Sequence, residues 1–293
     1  MGGEINEKME HLYMPSNWVV RIPVEQSVPE HVRITSEESQ RVRSSVDGRL
    51  GVKFGSEGGD IVDLFNEDCK TKQMVVYLSG GYWQELSGDI SSYTVKPLVH
   101  AGHCVAVVHY DRAPSQDMAG ITNQIERAGS WLVKYVKQKG LSLWLSGHSA
   151  GSHLCAMLLS SGWYEGLPQA CRQVIKGVFH LSGVFNLAPL LCTSVNTPLR
   201  MTQLEAENFS PLSSVNLDRL SSSGSHLKHV VVVGEHDSPA FKQQAEDYAD
   251  QLRLRGCKVV NWVQQSEDHF SLVERLSQED YSLTVKMITM ISQ

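Results

Sequence analysis

Apolar positions along the chain gather into eight short runs: VKF (52–54), DIVDLF (60–65), QMVVYL (73–78), CVAVVHY (104–110), LSLWL (141–145), IKGVFHL (175–181), HVVVVG (229–234) and CKVVNWV (257–263). From residue 73 onward the runs are almost unbroken in Val, Leu and aromatic residues, the pattern of strands covered on both faces. Helical periodicity fills the gaps. Segment 117–138 places Ile121, Ile125, Ala128, Leu132 and Val136 on one face, and segment 238–256 closes on the stop residue Gly256. Strands alternating with helices predict an α/β fold with a mostly parallel central sheet flanked by helices. Two regions break the alternation: the polar, helix-prone 1–45 and the Ser-, Leu- and Pro-rich 189–226. In a single domain spanning 1–293, both are expected to cap the carboxyl ends of the strands, where open α/β sheets hold their ligands. The competing expectation is a pair of plain long loops, uncommon at such lengths without a function.

The fifth run leads into GHSAG (147–151) and then into a helical pattern. A serine between two glycines at a strand-to-helix junction marks a nucleophile elbow, a turn so tight that side chains at the flanking positions would clash. A plain turn is the bland alternative. A serine hydroxyl attacks only when a base takes its proton and an acid orients that base, and on this architecture the chain order is Ser, acid, His. After Ser149, His229 opens a strand and His236 precedes the expected acid, whereas His269 follows the last strand and opens a helical segment. His269 is therefore the expected base. Asp237 is the expected acid, in competition with a role as helix N-cap, and Glu235 is the fallback. A tetrahedral oxyanion also needs backbone donors. The amide of Ala150 supplies one, and Gly80 and Gly81, directly after the third run, supply the others. Tyr82 and Trp83 follow that turn and offer aromatic surface to an aryl leaving group, although Trp83 has an equal claim to the core.

Composition narrows the partners. The chain is 41% hydrophobic and 20% charged with a net charge of −6, which is ordinary globular usage and no nucleic-acid footprint. The opening MGGEINEKMEHLYMPSNW lacks the apolar centre of a signal peptide, and Asn6 stands where N-myristoylation requires Ser or Thr. No apolar run has membrane-spanning length. The six cysteines are scattered without C-x-x-C or Cys/His ligand spacing, so reduced thiols in a cytoplasmic protein are expected, with no metal site and no cofactor. The expected partner is a small-molecule substrate, not nucleic acid or membrane, and a homodimer is left open.

GGYW (80–83), GHSAG (147–151), GEHDSP (234–239), DHF (268–270) and YMPSNWVVR (13–21) together resemble the arylformamidase (kynurenine formamidase) family of the α/β-hydrolase superfamily, its invertebrate members in particular. The resemblance runs from about residue 10 to the C-terminus. It implies an α/β-hydrolase fold and cofactor-free cleavage of N-formyl-L-kynurenine to L-kynurenine and formate, in tryptophan breakdown, through a formyl-enzyme on Ser149. It likewise implies Asp237 as acid, His269 as base, and Gly80, Gly81 and Ala150 at the oxyanion positions. One departure stands out: the family pattern is H-G-G-x-W, and Ser79 occupies the place of the histidine. Two rival expectations remain, a general carboxylesterase with the same triad and a non-catalytic binding module on a hydrolase fold. The second usually loses a member of the triad, and none is lost here.

Overall fold

The computed structural model describes residues 5–293, so the Met-Gly start weighed above for lipidation lies outside the described residues. Each of the eight runs forms a strand: β1 (Gly48–Lys53), β2 (Ile61–Phe65), β3 (Gln73–Leu78), β4 (Cys104–Val108), β5 (Ser142–His148), β6 (Ile175–Leu181), β7 (Lys228–Gly234) and β8 (Lys258–Gln264). They join one sheet in the order β1-β2-β4-β3-β5-β6-β7-β8. β2 runs antiparallel to both of its neighbours, and every pair from β4 to β8 is parallel.

Strand alternation sends successive residues to opposite faces. Met74, Val76 and Leu78 join a core built with Ile121, Leu132, Leu154 and Phe241 of the helices Met118–Lys139, Ala150–Ser160 and Pro239–Leu254. Val75 and Tyr77 join the opposite core, with Val42 and with Leu283 and Met287 of the helix Ser282–Ile291. Both faces are covered, as the unbroken apolar runs predict. β8 departs from that expectation: Val260 and Val263 are exposed, because β8 is the sheet edge and pairs only with β7. All six cysteines are unpaired thiols.

The register aligns the ends that matter. Leu78 of β3 lies opposite Gly147 of β5, His148 opposite Leu181 of β6, and Gly234 of β7 opposite Gln264 of β8. The turns that follow β3, β5, β7 and β8 therefore open along one rim of the sheet. Over that rim the chain start and the insertion are tied together: the Glu10 carboxylate accepts from the Ser194 amide (2.7 Å) and hydroxyl (2.5 Å), and the Asn6 amide donates to the Cys192 carbonyl (2.8 Å). The insertion does not act as one piece. Ser214–Gly224 packs against Ala150–Ser160 instead of reaching over the rim.

The long helix Val24–Ser45 reverses the usual amphipathic arrangement. Ser27, His31, Thr35 and Ser39 are buried, while Val24, Val28 and Val32 are exposed. A hydrophobic-periodicity argument cannot find such a face, because the residues it buries are polar.

Buried histidines set the acid limit of the fold. His180 and His229 stack on each other inside the molecule, their ring centroids 5.7 Å apart, and His153 is enclosed beside Trp83. Burial pushes His153 and His229 down to about 4, and holds His180 well below the ordinary histidine value with help from the neighbouring His229. A lowered histidine pKa means that the unfolded chain binds protons which the folded chain refuses. The contribution is thus fully present above the unfolded value of about 6.5 and is lost as the pH falls from there toward about 4. His153 and His229 each give up about 3 kcal/mol across that window. The denaturant midpoint is expected to fall steadily from pH 7 to 4.5, beginning above the range where carboxylates titrate. A midpoint flat between pH 6.5 and 5 would show these rings to be hydrated.

Candidate active site

Ser149 stands between the end of β5 and the helix Ala150–Ser160 with φ 52° and ψ −116°, left-handed backbone that an L residue adopts only under constraint. The constraint is visible in its neighbours. A Cβ on Gly147 would stand 2.3 Å from the Gly151 carbonyl oxygen, and one on Gly151 would stand 2.1 Å from that of Leu78. Both glycines of the motif are spaces into which backbone has moved, and the Gly151 contact presses the elbow against the end of β3.

His269 and Asp237 meet as a buried pair. Nδ1 of His269 lies 3.1 and 3.0 Å from the two Asp237 carboxylate oxygens, and Oδ1 also accepts from the Ser238 amide at 2.9 Å. The alternative of Asp237 as helix cap does not apply, since the Ser238 hydroxyl is the N-cap of Pro239–Leu254. Glu235 instead binds the Ser266 amide, His236 lies beside Glu235, and His229 is the core residue described above. Ser149 and His269 face the same cavity of about 240 Å³. No hydrogen bond joins the two side chains, a contact that commonly tightens only around substrate.

The Gly80–Gly81 turn lies against the elbow. A Cβ on Gly80 would be 3.1 Å from that of Ser149, and Gly81, which lines the cavity, has φ +98°. The Ala150 amide is the first of its helix and has no intrahelical acceptor. The Gly80 backbone and the first amide of the helix thus adjoin the serine. Tyr82 lines the cavity, its hydroxyl donating to the Tyr13 carbonyl. Trp83 is placed elsewhere: it is fully buried, edge-on to His153 with centroids 4.8 Å apart, and outside the cavity lining. Among the described residues, no group of three or more His, Cys, Asp or Glu is arranged to hold a metal ion.

Sequence reasoning passed over three residues here. His148, the variable position inside the motif, donates from Nε2 to the His269 carbonyl at 2.9 Å. Burial holds its pKa well below that of free histidine, helped by the adjacent His269 and His31, so it is a neutral strut under the His269 loop. His31 enters the cavity wall from the helix Val24–Ser45. Tyr110 donates its phenol to the carbonyls of Ser79 (2.9 Å) and Gly80 (3.2 Å), and burial pushes that phenol's pKa up, so it stays a donor. None of the three belongs to a spacing motif, and only His148 could have been flagged, by its place in GHSAG.

Tyr110 bears on the missing family histidine. The turn is held through its carbonyls by a phenol, while the Ser79 hydroxyl makes no hydrogen bond with another described residue. Tyr110→Phe removes a bond worth about 0.5–1.5 kcal/mol and is expected to lower kcat by about tenfold or less. Ser79→Ala should lower it less. The reverse order, measured on folded variants, would make the Ser79 hydroxyl the element that shapes the turn.

The sheet order, the strained serine and the buried His–carboxylate pair define a hydrolase of the α/β-hydrolase fold. No family model matches the chain. Kynurenine formamidase from Salmo salar is 37% identical over 98% of this chain and 97% of its own, and kynurenine formamidase from Danio rerio is 36% identical over the same shares. The chain belongs to the kynurenine formamidase family. The Drosophila melanogaster kynurenine formamidase is 29% identical over 87% of this chain and 86% of its own, so the similarity is not confined to insect members. Among solved structures, a protein from Silicibacter sp. TM1040 superposes with a TM-score of 0.80 at 24% identity, covering 99% of this chain and 100% of that one. An esterase from Pyrobaculum calidifontis gives 0.69 at 16%, covering 99% and 98%. These show the shared fold. Among the described residues, no helix is long and apolar enough to cross a membrane.

Proposed function

We propose that this chain hydrolyses N-formyl-L-kynurenine to L-kynurenine and formate, with Ser149 as nucleophile, His269 as base and Asp237 as the acid that orients it. The observation that carries the reading is His269, paired with the buried Asp237 and lining the same cavity as the strained Ser149, in a chain of this family. Bound to ionised Asp237, Nδ1 of His269 must hold the ring proton, which leaves Nε2 free to accept one. Ser149 attacks the formyl carbon as Nε2 takes its proton. The new oxyanion rests on the amides of Gly80, Gly81 and Ala150. His269 then protonates the departing aryl nitrogen, the C–N bond breaks, and a formyl ester remains on Ser149. Water, deprotonated by the same imidazole, releases formate.

A formyl group carries only hydrogen beyond its carbonyl, so the acyl side demands little room. The rest of the cavity, with Met14, Val28, Leu86, Tyr82 and Phe270 in its wall, suits an aryl leaving group. The deciding measurement is kcat/KM on N-formyl-L-kynurenine against a short aryl ester. A clear preference for the formamide supports the assignment, and a preference for the ester makes this a carboxylesterase with the same triad. The chain start and residues around Ser194 and Val195, which border the cavity, are proposed as its cap.

A further inference from the structure

The cavity wall holds no lysine or arginine, and Glu85 is its one carboxylate. Three histidines line it. His269 is paired with Asp237, and His148 is a neutral donor to a backbone carbonyl. His31 differs from both. Its Nδ1 lies 3.0 Å from Oε1 of Glu274, the residue is 2% exposed, and Nε2 has no partner among the described residues. Behind it lies a short network. The Arg21 guanidinium donates to both Glu274 oxygens (3.0 and 2.8 Å) and to Asp268 (2.8 Å). Two buried carboxylates thus face one guanidinium, with the His31 ring packed beside them. An ionised carboxylate only accepts, so Nδ1 donates to Glu274 and Nε2 is the ring atom left to the cavity. Its ring lies 6.3 Å from that of His148, the residue before Ser149, and 5.1 Å from that of Phe270, the residue after His269. Glu85, exposed and also in the cavity wall, forms no ion pair with another described residue.

We infer that this cavity reads the amino-acid end of its substrate, with His31 receiving the α-carboxylate through a protonated Nε2 and Glu85 receiving the α-ammonium. The inference rests on the proposed formamidase activity and deepens it, since a zwitterionic tail is what distinguishes N-formyl-L-kynurenine from a simple aryl formamide or ester. The site fits such a tail by charge: an imidazole backed by two buried carboxylates, which favour its protonated form, and one exposed carboxylate without an ion pair among the described residues. Neither residue takes part in the bond-breaking steps, so both act on binding.

The test compares three formamides on wild type, His31→Gln and Glu85→Gln, each confirmed as folded by circular dichroism. The substrates are N-formyl-L-kynurenine, the same molecule lacking its carboxylate, and formanilide, which lacks the whole tail. His31→Gln removes a hydrogen bond between charged groups and should raise KM for N-formyl-L-kynurenine by about ten- to a hundredfold, with kcat little changed. It should leave the decarboxylated substrate and formanilide within about threefold of wild type. Glu85→Gln, at an exposed site, should raise KM about two- to fivefold for both substrates that carry the ammonium and spare formanilide. With wild type alone, L-kynurenine should inhibit more strongly than its decarboxylated amine, which keeps the test open should His31→Gln not fold. An unchanged KM in either variant, equal losses on all three substrates, or equal inhibition by acid and amine would overturn the inference while leaving the activity standing. Wild type that cleaves formanilide but not N-formyl-L-kynurenine would overturn both.

Discussion

Ser149→Ala is expected to lower kcat by about four to six orders of magnitude while leaving the protein folded. The Ser149 hydroxyl forms no hydrogen bond with another described residue, so removing it breaks nothing that holds the structure. Alanine has the same difficulty with positive φ as serine, and the elbow is imposed from outside by the Gly147–Gly151 and Gly151–Leu78 contacts. Loss of the nucleophile should therefore appear purely in turnover. His269→Ala should match it within about tenfold, because the members of a triad act as a unit. Unfolding free energy and kcat on N-formyl-L-kynurenine, measured on the same preparations, check both halves. A folded Ser149→Ala that retains even a hundredth of the activity would mean that another group attacks the formyl carbon, and the proposed mechanism would be lost.

How much of this was legible beforehand follows from the range of the forces involved. GHSAG could be read because its meaning is local: the strand, the turn and the helix that press on Ser149 lie within a few residues of it, apart from the end of β3. The eight strands could be read because burial on two faces leaves an unbroken apolar run. The same rule misjudged β8, where position at the sheet edge, not composition, exposes Val260 and Val263. The cavity wall was much less legible. His31 arrives from a helix whose buried face is polar, and its partner Glu274 is 243 residues away, as only the folded chain can show. Tyr110 holds the glycine turn from a strand end 30 residues on, in the place where the family pattern leads one to look at residue 79. Trp83 shows the converse. Its position beside the turn leaves substrate contact and the core equally open, and only the folded chain decides: the adjoining Tyr82 takes the cavity side and the indole packs on His153 in the core.

Asp237→Asn is expected to lower kcat by about three to four orders of magnitude with little change in the fold, and the cause can be followed atom by atom. In the native protein the carboxylate accepts from two directions, from the Ser238 amide at Oδ1 and from Nδ1 of His269 at 3.0 and 3.1 Å. An asparagine can satisfy only one of these as before. If its single oxygen stays with the Ser238 amide, its NH2 group faces Nδ1 of His269 and can bond to it only as donor. The imidazole must then carry its proton on Nε2, the nitrogen that has to accept the proton of Ser149. The site would remain assembled in the wrong tautomer. If the amide flips instead, the histidine is served correctly but the Ser238 amide, at the start of the helix Pro239–Leu254, faces another donor in a buried place, at a cost of about 1–3 kcal/mol. Either route penalises the active arrangement, and the first costs activity without costing structure. The check is kcat together with the denaturation midpoint: a large fall in kcat at nearly constant midpoint is the expected pair. A variant within tenfold of wild-type kcat would show that Asp237 neither sets the tautomer nor orients the base, and His269 would have to be held by something other than its carboxylate.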